Sequence, residues 1–82
     1  MRALFRDRES APNLCNGREF HAAGIVLESH EPNGSGKNLA VMYFSPFDAC
    51  FERAWRATDE VELYPVDVDT WTAIRAAYQQ SN

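Results

Sequence analysis

Residues 39–44 (LAVMYF) are apolar on both alternate sets of positions: Leu39, Val41 and Tyr43 on one, Ala40, Met42 and Phe44 on the other. That is the pattern of a strand with neighbours on both sides and at least one covered face, and it predicts the central strand of a sheet. Directly after it, Phe47, Cys50, Phe51, Ala54, Trp55 and Thr58 recur at i, i+3, i+4, i+7, i+8 and i+11. This is one continuous face at helical period, so a helix is expected over residues 46–58. Ser45 stands where an N-cap belongs, Pro46 takes the first helical position, and Asp48 can close a weak capping box. Asp48 and Glu52 fall early and Arg53 and Arg56 late, the order that complements the helix dipole.

The rest of the pattern is arranged around this pair. Residues 1–8 place Ala3, Leu4 and Phe5 in a basic frame and fit either a short edge strand or an arm packed on a neighbour. Residues 10–17 (SAPNLCNG) favour bends at Pro12, Asn13, Asn16 and Gly17, with Leu14 able to pin the loop. Over residues 18–29 Phe20 and Ala22 share one parity and Ile25 and Leu27 the other, which predicts a strand bulged at Gly24. A polar loop over 30–38 then leads into the 39–44 strand, making an antiparallel hairpin with a long tip. Beyond the predicted helix, VELYPV reads as a half-exposed edge strand, set parallel to the central one by a right-handed crossover. A last helix is expected from Asp67 or Asp69, with Val66 and Trp71 as a hydrophobic staple, Ile74 and Tyr78 in register, and residues 79–82 frayed.

The sum predicts an α+β two-layer sandwich in ββαβα order: a mixed sheet of three or four strands covered by two helices. At 82 residues it is expected to be a single small domain, with 1–17 as arm and loop and 18–80 as the core.

Composition changes this picture in few places. The apolar content and ten aromatic side chains suit a folded domain, and surplus aromatics on a small body favour self-association. The net charge of −4 argues against nucleic acid as a partner. Charge is uneven, since residues 1–18 carry net +2 and the remainder −6. No apolar run is long enough for a membrane span and residues 1–10 lack the apolar core of a secretory signal, so a cytoplasmic location is expected, with Cys15 and Cys50 as thiols.

Candidate chemistry is sparse. Gly34-Ser35-Gly36-Lys37 has the look of a phosphate loop, yet Glu31 and Asn38 stand where such a loop needs Gly and Ser or Thr, and it joins two strands. Asn33-Gly34-Ser35 matches a glycosylation sequon, which without a secretory signal reads as chance. The spacings of Cys15, His21, His30 and Cys50 fit no zinc pattern, so neither metal nor cofactor is expected. For nucleophilic catalysis the candidates are Cys50 or Ser45 with His21 or His30 as base, and both nucleophiles have structural duties in the predicted helix. One feature remains: the acidic run Asp59, Glu60, Glu62, Asp67 and Asp69. It is in part capping and edge protection. As a binding face it makes Asp59, Glu60, Glu62 and Tyr64, with Lys37 at the hairpin tip, the candidate partner-binding residues.

The function expected from the sequence is a small non-catalytic protein-interaction module, in the role of an adaptor, inhibitor or immunity-like protein, binding another protein or itself as a homodimer. The competing expectation is a small thiol-dependent enzyme or ligand-binding protein with a cleft near Cys50.

Overall fold

The computed structural model describes residues 2–11, 13–15 and 18–80. The bends expected at Pro12, Asn16 and Gly17, and the side chains of Leu14 and Cys15, lie outside the described residues; Asn13, also expected to bend, begins a strand. Of the fraying expected over 79–82, residues 79 and 80 are helical, and 81–82 lie outside the described residues.

Among the described residues, seven strands and one α-helix follow in the order β1 (Ala3–Asp7), β2 (Asn13–Cys15), β3 (Arg18–Phe20), β4 (Ala23–Ser29), β5 (Leu39–Ser45), β6 (Cys50–Arg56), β7 (Val61–Pro65) and α1 (Val68–Gln80). β2 and β3 form a small hairpin of their own. The other five strands make one sheet, ordered β6-β5-β4-β1-β7, in which every pairing is antiparallel. The predicted ββαβα sandwich with a mixed sheet and two helices is therefore incorrect.

The decisive difference lies in residues 46–58. The local cap signals operate, but for one turn only. Ser45 Oγ accepts from the Asp48 N–H at 3.3 Å and the Ser45 carbonyl from the Ala49 N–H at 2.9 Å. Ala49 then adopts φ 54°, a left-handed conformation that stops the turn and reverses the chain into β6. Seven register pairs, from Leu39↔Arg56 to Ser45↔Cys50, bind β6 to β5. A strand apolar on both parities needs partners on both of its edges, and β6 supplies the second one. The crossover helix being absent, VELYP runs not parallel to β5 but antiparallel to β1.

The apolar tripeptide near the start is likewise an inner element: β1 lies between β4 and β7, with Ala3 and Phe5 buried. The 30–38 hairpin is as expected. The irregularity in β4 is not at Gly24, because the register with β5 shifts between Val26 and Glu28 and leaves Leu27 unmatched. Gly24 is instead required by close approach: a Cβ there would stand 2.0 Å from the Met42 carbonyl oxygen.

The sheet is strongly curled, and the chain path requires it. Laid flat, five strands would hold the β6 and β7 edges about 19 Å apart. The link between those edges is residues 57–60, three of which are wound into a 3₁₀ turn at Thr58–Glu60, and at about 2 Å of rise per residue it cannot span that distance. Curling brings the edges together at this end. Arg56 Nε, on β6, donates to Asp7 Oδ1, on β1, at 2.9 Å although two strands intervene.

Curling gives the sheet an inside and an outside, each with its own core. Inside lie Ala3, Phe5, Val26, Leu39, Val41, Tyr43 and Val61. Outside, Ile25 and Met42 are covered by Trp71 of α1, flanked by Leu4, Leu27, Phe51, Ile74 and Tyr78. Each large apolar side chain so buried contributes about 1.5–3 kcal/mol. The helix starts as expected: Asp67 is its cap, Oδ1 accepting from the Thr70 N–H at 2.7 Å. The Trp71 indole N–H donates to the Val26 carbonyl at 2.8 Å, fixing α1 to the irregular part of β4.

Candidate functional site

The expected partner-binding residues fall at two places, and most are already engaged. Lys37, at the end of the 30–38 loop, donates from Nζ to Glu60 Oε1, which also accepts from the Ala57 N–H at 2.7 Å. Those bonds, the lysine's first, hold the Glu60 carboxyl below the usual glutamate range. Glu60 thus ties the hairpin tip to the 3₁₀ turn.

Glu62 and Tyr64 lie side by side on β7. The Tyr64 hydroxyl donates to Glu62 Oε2 at 2.6 Å, and Arg6, the register partner of Glu62, stands 3.3 Å away. The hydroxyl first and the guanidinium second push the Glu62 carboxyl down, while the same hydrogen bond pushes the Tyr64 phenol up. Asp59 is exposed on the 3₁₀ turn. The acidic edge therefore meets two cations of its own chain, which weakens its field toward a basic partner.

The other candidates divide as follows. In the 33–37 tip, Asn33 Oδ1 accepts from the N–H groups of Ser35 and Lys37 at 2.9 and 3.0 Å, and the Gly36 N–H goes to the Asn33 carbonyl. With those amides turned inward, the loop has no nest for a phosphate. Cys50 sits at the start of β6 beside Glu52 and Asp48, where desolvation and then the two acids push its thiol up. Such a site opposes thiolate formation. His21 and His30 lie apart from it, His21 near the Glu9 carbonyl and His30 against Glu28 at 2.7 Å. Among the described residues no three His, Cys, Asp or Glu side chains come together as a metal site, and no helix is long and apolar enough to cross a membrane.

A different surface emerges on the outside of the sheet. α1 crosses that face but leaves apolar side chains uncovered beside it, with Phe44 48% exposed on β5 and Trp55 46% exposed on β6. Phe44 is edge-on to Phe51, and Phe51 stacks on Tyr78 of α1 at 4.4 Å. On one flank, Leu27, Glu28, Ala40, Arg53, Trp55 and Arg75 line a groove of about 280 Å³ between α1 and β6. On the other flank, Leu4, Arg6, Ala23, Tyr64, Ile74 and Tyr78 border a second, of about 390 Å³. Tyr64 of the expected site belongs to this second groove; Lys37, Asp59, Glu60 and Glu62 line neither.

Helical periodicity hides this surface, because it assigns Phe51 and Trp55 to a buried helix face. Read at period two, CFERAWR sets Phe51, Arg53 and Trp55 on one side of a strand, which is the side α1 only partly covers. Comparison with protein-family models, curated proteins and solved structures finds no match to this chain.

Proposed function

We propose that this protein is a small non-catalytic protein-binding module that meets its partner through the outer face of the curled sheet. The observation that carries the reading is the pair of half-exposed aromatics, Phe44 and Trp55, on the outer face of the sheet beside α1. Large aromatic side chains in such a setting are the residues that anchor protein interfaces when desolvated. Arginines beside them, Arg53 and Arg75, complete the composition typical of interface centres. The thiol-enzyme reading has less support, since the surroundings of Cys50 raise its pKa and no histidine adjoins it.

Site-specific photocrosslinking in the host cell tests this. A photoreactive amino acid at position 44 or 55 is expected to yield one discrete adduct, with a second copy of this chain or with another protein, while the same group at position 69 on the exposed start of α1 yields none. No adduct from either position, or equal adducts from all three, would overturn the proposal.

A further inference from the structure

The groove between α1 and β6 has a chemistry of its own. Its apolar lining is Leu27, Ala40, Ala54 and Trp55, and two guanidinium groups, Arg53 and Arg75, border it. Neither arginine forms an ion pair among the described residues. The Arg75 guanidinium lies over the Trp71 ring at 5.2 Å, and its Nε is buried with no hydrogen-bond partner among the described residues. A buried donor without an acceptor is a cost that the fold carries. Trp55 is backed by the His30 ring at 5.6 Å, so its indole is held in place. The acid on the border, Glu28, lies 2.7 Å from His30 Nε2 and forms no ion pair with either arginine among the described residues.

Resting on the protein-binding reading above, we infer that this groove takes an acidic peptide segment of the partner, in which a carboxylate meets Arg53 and Arg75 while a neighbouring apolar side chain covers Trp55. Charge complementarity selects this occupant. Two guanidinium groups lining one groove fit carboxylate oxygens, with charge-assisted hydrogen bonds among the strongest available, and an apolar floor beside them suits the side chain next in line. Stacking on Trp55 with phosphate on the arginines is the chemistry of a single-stranded nucleic acid as well. The chain's net charge of −4 disfavours a polyanion with a charge at every residue, whereas one carboxylate needs only the two arginines.

The test uses the intact protein and three probes followed by NMR titration of the Trp55 indole and arginine Nε–H resonances. They are a capped nonapeptide alternating Glu with Leu and Phe, its Gln-for-Glu counterpart, and a deoxythymidine decamer. The acidic peptide is expected to move the Trp55, Arg53 and Arg75 resonances and to bind at least about tenfold more tightly than the Gln peptide. Arg53→Gln, on an exposed strand position, and Arg75→Gln are each expected to weaken it about tenfold or more. Because Arg75 also covers Trp71, Arg53→Gln decides the matter if Arg75→Gln lowers stability. Equal affinity for the two peptides, tighter binding of the oligonucleotide, or shifts centred on Phe44 or Tyr64 in place of Trp55 would overturn this inference. Crosslinks from position 44 or 55 together with such a result would leave the protein-binding reading standing.

Discussion

The ion pair between Asp7 and Arg56 is the most exacting place to test the curled sheet. The Asp7 carboxylate accepts from Arg56 Nε at 2.9 Å and Nη2 at 3.3 Å and from the Ala22 N–H at 3.1 Å. Its side chain is fully enclosed, and that of Arg56 is 10% exposed. Removing one member of a buried pair costs about 3–5 kcal/mol because the other charge is left without compensation. Arg56 keeps its Nη1 bond to the Trp55 carbonyl and its place over the Tyr43 ring, and solvent reaches its edge. Asp7→Ala should thus fall near the lower limit, a loss of about 3 kcal/mol. A chain of 82 residues has about 4–12 kcal/mol in all, so this loss is a large fraction. The double variant Asp7→Leu/Arg56→Met removes both charges and should recover to within about 2 kcal/mol of the parent, the Ala22 amide and Trp55 carbonyl being its remaining costs. Urea unfolding followed by tryptophan fluorescence gives both numbers, with a constant m-value as the check on two-state behaviour. An Asp7→Ala loss under about 1 kcal/mol, or a double variant as unstable as the two single losses added, would refute the reasoning.

Ala49→Gly separates the observed turn from the helix that the periodicity suggests. It should raise stability by up to about 1 kcal/mol by relieving the left-handed residue, whereas within a helix it would lower it by about 1 kcal/mol; thermal unfolding reads the sign. Gly24→Ala should cost about 3 kcal/mol or more, since its Cβ meets the Met42 backbone, and soluble yield with circular dichroism will show it. Glu52 has its carboxyl pushed up, first by its hydrogen bond with Asp48 and then by desolvation, so its charged form disfavours the fold above the ordinary glutamate range. Glu52→Gln should raise the urea midpoint at pH 7, and a fall there refutes the assignment. Glu60 has the opposite sign: its lowered pKa contributes stability present above the ordinary glutamate range and lost as pH falls through the folded value. Glu60→Gln should flatten the acid limb of stability against pH, and an unchanged limb would exclude that role.

The parts of the fold legible in the sequence are those whose signals are local and unopposed. The hairpin around residues 30–38 is bounded by two apolar runs, and α1 is fixed by the Asp67 cap with Trp71, Ile74 and Tyr78 in register. Residues 50–56 could not be read this way, because CFERAWR satisfies two periods at once: Phe51 and Trp55 are four apart, and Phe51, Arg53 and Trp55 alternate. What decided between them was the unpaired edge of β5, which no window on residues 46–58 contains. The same non-local pairing made residues 3–7 an inner strand, since a sequence gives no sign that β7 lies beside them. Of the candidate site, the acidic residues were visible as a run, but their engagement with Lys37 and Arg6 depends on strand register. The groove at Trp55 was hidden by assigning Trp55 to a helix.

The position of β1 also bears on how the chain reaches this state. Arg6 meets Glu62 across 56 residues of sequence, whereas β4, β5 and β6 pair as consecutive neighbours. The three-strand meander can therefore form early, and β1 with β7 must close the longest loop between paired strands among the described residues against its entropy. During synthesis Ala3, Leu4 and Phe5 are made before Val61–Pro65 exists to cover their free edge. In that interval the uncovered edge of β1 is open to mispairing with a second nascent copy.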